Sequence, residues 1–284
     1  MSSKIDLHIH TNASDGTYSP EELLLKIQEA GIKIFAVTDH DTIKGALAMQ
    51  KIITDTSIKF IKGIEFSCRT SDAKCHILAL NYNENHEAFK KVLKAGDELR
   101  REKFFKRIEF LRNAFNIKIT DEEIKNLLKI PSLGKIHLGN LLVNKGYAET
   151  RLEAMENFVD KCKTGNDRID ADFAINSIIS SGGVAVWAHP LGGAREPELS
   201  KEKFNTELEK LISFGLRGLE CYYSKYGFSK CEWLAEKARR NNLFISGGSD
   251  CHGSNKKNVP LGKLNAEDKN INQEFLSILG SGIL

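Results

Sequence analysis

The stretch Lys4-Ile5-Asp6-Leu7-His8-Ile9-His10 is a largely apolar run that closes on two histidines, two positions apart. Residues two apart in a β-strand point to the same side, so His8 and His10 can bind one ion from a single strand end. Neutral imidazole and carboxylate are ligand types for divalent ions such as zinc, manganese or iron. The stretch therefore predicts a strand with a metal site at its carboxyl end, and Asp15 in the following Ser14-Asp15-Gly16 adds a carboxylate.

Other apolar runs of the chain end in the same kinds of side chain. They are followed by Thr38-Asp39-His40-Asp41, Ala188-His189-Pro190 and Gly248-Ser249-Asp250-Cys251-His252, while Glu65 and His76 each lie beside a further strand-like run. This set contains six of the eight histidines of the chain. One site for more than one metal ion is the simplest explanation, because polar groups gathered in a cleft without partners are costly.

Strand-like runs alternate with helical patterns, which predicts an α/β barrel or a doubly wound sheet. The predicted strands cover residues 4–10, 34–38, 59–65, 75–81, 184–188, 217–223 and 243–247, and helices between them cover residues 20–30, 42–53, 174–181, 204–214 and 230–241. The candidate ligands follow strands one, two, three, five and seven. These ends converge only where the strands form a ring, so the pattern favours a barrel, whose active site lies at the carboxyl ends of its strands.

His76 is different because it begins its strand. The connection between strands three and four, residues 69–74, is short. We therefore predict that these two strands form a hairpin, which returns His76 to the side of Glu65.

Residues 84–165 carry helical patterns without the strand signals seen elsewhere. They are predicted to form a helical insertion above the active face, a substrate lid, while residues 1–83 and 166–284 form the barrel. The first helix of the insertion is basic, with nine Lys or Arg and four Asp or Glu between Lys90 and Arg112. Two interpretations stay open, a solvated helix face or a surface that attracts phosphate.

The 284 residues, 41% hydrophobic and 28% charged, have the composition of a globular protein and the length of a single α/β barrel. The net charge of +3 is too small to indicate nucleic-acid binding by itself. The six cysteines have no C-x-x-C spacing, and neither a signal peptide nor an apolar run of membrane-spanning length is visible. We therefore expect a cytoplasmic protein with reduced cysteines and no membrane partner.

The motifs D-L-H-x-H-T-x-x-S-D-G, T-D-H-D, G-x-E, H-I-L, A-H-P and G-S-D-x-H-G, in this order from Asp6 to Gly253, resemble those of the PHP family, named for polymerase and histidinol phosphatase. The resemblance implies a distorted (β/α)7 barrel that holds two or three divalent ions, which would be manganese, zinc or iron. One ion would be bound by His8, His10, Glu65 and Asp250, a second by Glu65, His76 and His189, and a third by Asp15, His40 and His252. Of these, Asp15, His40, Glu65 and Asp250 would carry the catalytic step.

The activity implied by this resemblance is phosphoester hydrolysis by a metal-activated hydroxide. Neighbouring ions can lower the pKa of a water that they share and neutralise the oxygens of an in-line displacement. The standalone branch with a helical insertion resembles phosphatases of nucleoside 3',5'-bisphosphates that also trim the 5' ends of short RNA. We therefore expect phosphorylated small nucleotides, and the 5' ends of short single-stranded RNA, as the substrates. The alternatives are a histidinol-phosphate phosphatase and a non-catalytic structural PHP module.

Three more residues are candidates for binding substrate. The stretch Gly134-Lys135-Ile136-His137 resembles a G-R-P-H stretch of the family's insertion, although Lys135 lacks the bidentate guanidinium of arginine. Arg195 follows Ala188-His189-Pro190, and the resemblance to the family's corresponding loop implies that it can reach a phosphate. His137 is equally well explained as a packed helix histidine, and Arg195 as a surface arginine. Aromatic stacking on a base or packing in the barrel are the two roles open to Tyr222, Tyr223 and Tyr226.

Overall fold

The computed structural model describes residues 3–165, 168–193, 198–264 and 269–280, and a curved sheet forms its centre. The strands of this sheet are β1 (Lys4–Ile9), β2 (Ile32–Val37), β3 (Lys59–Arg69), β4 (Lys74–Leu80), β5 (Ile169–Asp170), β6 (Val184–Ala188), β7 (Gly218–Tyr223) and β8 (Phe244–Gly248). Seven of them lie side by side in the order β1-β2-β3-β4-β6-β7-β8, and the two-residue β5 pairs with β3 outside this order. These seven are the strands that the sequence predicts.

Helices connect most of the strands. They are α1 (Pro20–Glu29), α2 (Lys44–Ile52), α3 (Glu87–Phe115), α4 (Asp121–Leu127), α5 (Lys135–Asn144), α6 (Arg151–Asn157), α7 (Ala171–Ser180), α8 (Lys201–Ser213) and α9 (Phe228–Arg240). Shorter elements are the antiparallel pair β9 (Lys263–Leu264) and β10 (Lys269–Asn270) and the 3-10 turns Val159–Lys161, Gly253–Asn255, Gln273–Phe275 and Ser277–Gly280. α1 begins with a capping box, in which Ser19 and Glu22 each bond the backbone N–H of the other.

Neighbouring strands of the sheet run parallel except around β4. β4 is antiparallel to β3 and to β6, so that His76 lies opposite Ser67 on one side and opposite Ala188 on the other. The predicted hairpin is therefore confirmed, and it lies in the barrel wall. Because β4 runs against its neighbours, its first residues lie at the edge where the other strands end.

The residues that follow β8 join the two ends of the sheet. The Asp250 N–H donates to the His8 carbonyl at 2.8 Å, and the His10 N–H donates to the Cys251 carbonyl at 3.0 Å. Gly248 passes so close to β1 that a Cβ at this position would overlap the His8 backbone, which explains the glycine. The predicted α/β barrel is confirmed, in a nearly closed form.

Asp6, from the first stretch of the sequence, belongs to this closure. Its carboxylate accepts the N–H groups of Ser249 and Gly262 at 2.8 and 2.7 Å and the Ser249 hydroxyl at 2.6 Å. Burial raises the pKa of Asp6 to about 6, although these hydrogen bonds oppose the rise. Asp6 therefore ties the start of β1 to the chain beyond β8.

The helical insertion has an apolar core of its own. Its buried side chains are Phe104, Ile108, Leu111, Ile117, Ile119, Leu133, Leu138, Leu142, Ala148, Ala154, Met155 and Val159. Helix α3 contributes to two cores, because Phe89 and Val92 near its start pack into the main core of the barrel. The domain boundaries near residues 84 and 165 stay a prediction, since one continuous helix passes from one core to the other.

The insertion contacts loops at the end of the barrel where the parallel strands finish. The Ser132 N–H donates to the Ala13 carbonyl at 2.9 Å, and the Arg151 guanidinium donates to the Asn255 carbonyl at 2.8 Å. Both acceptors lie within three residues of a candidate metal ligand. The insertion therefore borders the face on which the ligands converge.

Candidate metal centre

The nine candidate ligands lie together at one end of the barrel. His8, Glu65 and His76 are in strands β1, β3 and β4, and the other ligands are in the loops that follow β1, β2, β6 and β8. The side chains of His8 and His10 are fully buried, while 23% of the Asp15 side chain is exposed. The cluster is therefore buried on the barrel side and open near Asp15.

The carboxylate of Glu65 lies at the centre of the cluster and is buried. Five imidazole rings surround its two oxygens. Oε2 lies 3.3 Å from His8 Nε2, 3.2 Å from His10 Nε2 and 3.0 Å from His40 Nδ1, and Oε1 lies 3.0 Å from both His76 Nδ1 and His189 Nε2. Each oxygen of one carboxylate therefore faces a separate set of ring nitrogens.

The ring nitrogens of the first set have the spacing of two ligands of one tetrahedral ion. His8 Nε2 and His10 Nε2 are 3.2 Å apart, and Asp250 Oδ1 lies 3.6 Å from the former and 3.3 Å from the latter. Ligand atoms bound at about 2.0–2.1 Å in a tetrahedron are separated by about 3.3–3.4 Å. Glu65 Oε2 and the two ring nitrogens therefore form a compact group of three ligand atoms, and Asp250 Oδ1 adjoins this group beside the two imidazoles.

The second set, Glu65 Oε1 with His76 Nδ1 and His189 Nε2, is equally tight, because the two ring nitrogens are 3.2 Å apart. The third set is looser. Asp15 Oδ1 lies 3.3 Å from His252 Nε2, while Asp15 Oδ2 lies 3.8 Å from His40 Nε2. Tight groups among the described ligands are His10, Asp15, His40 and His252, then His8, His10 and Glu65, and then His40, Glu65 and His76. They differ from the grouping that the resemblance implies, because His10 joins the third set and His40 faces Glu65 with one nitrogen and Asp15 with the other. The division of the ligands among separate ions therefore stays a prediction.

Three buried ligand atoms make no hydrogen bond within the described part of the chain. They are Asp15 Oδ1, His40 Nδ1 and Glu65 Oε2. A buried carboxylate or imidazole atom without a partner is costly, and a divalent cation would satisfy all three. The residues therefore fit metal ions in both number and chemistry.

The carboxylates of the cluster are held in the form that binds cations, whereas the imidazoles differ from one another. Burial raises the pKa of the Glu65 and Asp250 carboxyl groups, but nearby His40 and Lys256, respectively, outweigh it and hold each pKa well below its ordinary value. Burial lowers the pKa of His40 and of His252.

Burial also opposes the protonation of His8 and His10. Glu220 and Glu65 nevertheless raise the pKa of His8, and Asp250 and Glu65 raise the pKa of His10 to about 9, so a metal ion competes with protons at these two rings. Carboxylates and neutral imidazoles are the forms that bind metal ions.

The model of the PHP domain family matches residues 6–164, which is more than half of the chain. The chain belongs to the PHP family. Its relatives include a "5'-3' exoribonuclease" of Haemophilus influenzae, 28% identical over 89% of this chain and 91% of the relative. A "phosphoribosyl 1,2-cyclic phosphate 1,2-diphosphodiesterase" of Eggerthella lenta is 28% identical over 87% and 94%. A "3',5'-nucleoside bisphosphate phosphatase" of Chromobacterium violaceum is 25% identical over 87% of each.

A crystal structure from Bifidobacterium adolescentis, provisionally assigned as a metal-dependent phosphoesterase, matches this PHP chain with a TM-score of 0.79 and 27% identity over 96% of this chain and 93% of the other. The family match and the relatives together show that this chain is a metal-dependent phosphoesterase of the PHP family, and the predicted hydrolase activity is confirmed at that level. Among its described helices, none combines the length and apolar character needed to cross a membrane.

Two charged residues beside the candidate metal centre, Glu220 and Lys256, were not predicted from the sequence. Glu220 in β7 is buried and accepts hydrogen bonds from the His8 ring and the His189 backbone. Lys256 places its ammonium 2.5 Å from Asp250 Oδ2. The only signal for Glu220 is a single charge in the otherwise apolar run Gly218–Tyr223, and Lys256 lies beside the equally basic Lys257 with no signal to separate them.

The three tyrosines are buried, with at most 5% exposure, so their ring faces are not open to a base. Tyr223 donates its hydroxyl to Asp250 Oδ2 at 2.9 Å. The Tyr226 hydroxyl accepts the Leu191 N–H at 2.9 Å and donates to the Gly192 carbonyl at 3.1 Å. Packing and orientation of the ligand loops are therefore the roles that the structure supports.

The three candidate substrate residues differ in their placement. Lys135 Nζ lies 2.7 Å from Asp160 Oδ1, with 44% of the Lys135 side chain exposed. His137 Nδ1 accepts the Gly134 N–H at 2.9 Å, and burial lowers the pKa of His137 against the opposing charge of Asp15. His137 therefore closes the turn before α5 and borders the metal centre. Arg195 lies outside the described residues.

Several basic residues of α3 are paired within the helix, as on a solvated face. Lys90, Arg101 and Lys106 each form an ion pair with an acidic residue three or four positions away. Arg100 is different, because its Nε lies 2.6 Å from Asp41 Oδ2 and the same guanidinium donates to Ser67 Oγ at 3.1 Å. Arg100 therefore fastens α3 to the loop after β2.

Proposed function

We propose that this PHP protein hydrolyses phosphomonoesters of small nucleotides, with nucleoside 3',5'-bisphosphates and the 5' ends of short RNA as its substrates. The observation that carries the proposal is the Glu65 carboxylate, whose two oxygens face two separate sets of ligand atoms. A carboxylate in this position would suit a centre of at least two ions, the arrangement used for in-line displacement at phosphorus. The names of the Chromobacterium and Haemophilus relatives support the nucleotide class.

The nine clustered side chains would hold two or three ions of manganese, zinc or iron. Once bound, such ions lower the pKa of water and neutralise the charge of phosphate oxygens. In this assignment Glu65 fixes the separation of the ligand sets, and Tyr223 and Lys256 orient Asp250. Asp15 and His40 lie on the partly exposed side, where a phosphate can approach.

Charge around the centre also favours an anionic substrate. The cluster contains three carboxylates, from Asp15, Glu65 and Asp250, and two divalent ions outweigh them. Lys256, 23% exposed, adds positive charge at the border of the site, whereas Arg100 is neutralised by Asp41. A substrate with two phosphates gains more from such a field than one with a single phosphate.

A panel of phosphoesters measured with metal-quantified protein tests the substrate class. We expect kcat/KM for a nucleoside 3',5'-bisphosphate or a 5'-phosphorylated short RNA to exceed that for histidinol phosphate and for an aryl monophosphate by about a hundredfold, about 2.7 kcal/mol in transition-state binding. A phosphoribosyl 1,2-cyclic phosphate belongs in the same panel because of the Eggerthella relative. Highest activity on histidinol phosphate or on the cyclic ester would overturn the nucleotide assignment and leave the phosphoesterase intact.

Replacing Lys135 by Ala tests whether the insertion contacts the second phosphate. We expect kcat/KM for a bisphosphate to fall by roughly tenfold, about 1.4 kcal/mol, and that for an aryl monophosphate to stay nearly constant. The effect is modest because Asp160 competes for the same ammonium group. The matched control is Lys129→Ala, an exposed lysine of the insertion that bonds Asn126. An equal loss on both substrates, or no loss on either, would remove Lys135 from the substrate site.

A further inference from the structure

Glu220 is a buried carboxylate with both oxygens occupied by metal-ligand residues. Its Oε1 lies 2.9 Å from His8 Nδ1, and its Oε2 accepts the His189 N–H at 2.7 Å. It has no exposed surface. The two residues that it holds belong to different ligand sets, because His8 Nε2 faces Glu65 Oε2 and His189 Nε2 faces Glu65 Oε1.

Glu220 lies in β7 directly before a register irregularity between Glu220 and Tyr222. Its neighbours Leu219 and Cys221 lie in the main apolar core, and successive residues of a strand point to opposite faces. Glu220 therefore points to the other face, into the barrel, where it meets His8 of β1 from 212 residues away in the sequence. A carboxylate at this depth requires partners, and the two ligand residues supply them.

An ionised carboxylate can only accept hydrogen bonds, so it requires the His8 Nδ1 atom to carry a proton. The other ring nitrogen, Nε2, is then the one with a lone pair for a metal ion, and it points at the first ligand set. This is the known use of a carboxylate behind a histidine ligand, where it fixes both the tautomer and the ring orientation.

The second contact of Glu220 is with the backbone of His189. His189 has a φ of +29°, on the left-handed side that residues other than glycine rarely adopt. The Glu220 oxygen accepts the N–H of this same residue. A fixed acceptor stabilises the strained backbone and so keeps the His189 ring beside His76 and Glu65.

We infer that Glu220 is a positioning residue that orients one ligand from each of two metal sets, and sets the tautomer of His8. The inference rests on the metal centre proposed above. It extends that centre to a residue in β7, a strand that contributes none of the nine ligands.

The test is Glu220→Gln, which preserves size and removes one acceptor. A Gln side chain has one oxygen and one NH2 group, so it can accept from the His8 ring or from the His189 N–H and not from both. We expect a 10- to 100-fold loss of metal affinity in competition with a chelator. The control is Glu207→Gln, a buried glutamate of α8 that bonds Thr70 away from the cluster, and it should bind metal as the unaltered protein does.

A second measurement uses only the unaltered protein, so it does not depend on whether a variant folds. Nitrogen-15 NMR of the zinc-loaded, unaltered protein should show His8 protonated at Nδ1 and bound through Nε2. Binding through Nδ1, or equal metal affinity in the unaltered protein and a folded Glu220→Gln variant, would overturn the inference. An unaltered protein that binds no metal would instead overturn the proposed function.

Discussion

Replacing Glu65 by Gln is expected to lower kcat/KM by about a thousandfold, about 4 kcal/mol, and to reduce the metal content of the purified protein. The two Glu65 oxygens face five ring nitrogens in two sets. A Gln side chain has a single oxygen, and whichever set its NH2 group faces loses a ligand. Steady-state kinetics on the best substrate of the panel, together with elemental analysis, measures both effects.

The control is His86→Ala. His86 lies outside the cluster, where its ring accepts the Ala88 N–H at the start of α3. We expect this change to cost some stability, about 1 kcal/mol for a lost helix cap, and to leave kcat/KM nearly constant. Losses of similar size in the two variants would show that Glu65 acts through folding and not through the metal centre.

Removal of the metal ions is expected to abolish turnover and to lower the thermal stability of the protein. Ions that bind only the folded state stabilise it by about 4 kcal/mol when their free concentration is 1,000-fold above Kd. For a chain of this length that corresponds to a change in Tm on the order of 10 °C. Activity and Tm are measured after dialysis against a chelator and again after manganese, zinc or iron is restored.

We expect activity and Tm to recover when manganese, zinc or iron is added back. Magnesium is a useful comparison, because it prefers oxygen ligands and an octahedral shell with several waters, whereas six of the nine clustered ligands are imidazoles. Full activity in the dialysed protein, with less than one ion retained per chain, would contradict the assignment of the cluster as a metal centre.

The sequence predicted the seven main strands, the hairpin of β3 and β4, and the gathering of nine ligands at one end of a barrel. These features can be predicted from a sequence because the spacing of apolar residues and the type of ligand side chain are both local properties of the chain. An apolar run that ends in His8 and His10 carries its strand period and its ligand chemistry within seven residues. A barrel then brings such ends together, wherever they occur in the chain.

The role of a side chain whose partners are distant in the sequence could not be predicted from sequence patterns. Asp6 lies in the first motif and closes the barrel, whereas Glu220 carries no motif and holds two ligands. Lys135 is turned toward Asp160, while Arg100, from the same basic insertion, reaches Asp41 and Ser67. In each case the residue type was known, and the partner was not.

The sequence by itself therefore determined which elements form and which side chains can bind metal ions. The tertiary structure alone decided which atoms meet. Strand order and register place Glu220 beside His8, 212 residues apart, and direct each Glu65 oxygen to a different set of imidazoles. Contacts at such separations depend on how the sheet closes, because a hydrogen bond requires two atoms within about 3 Å of each other and sequence patterns specify no such distance.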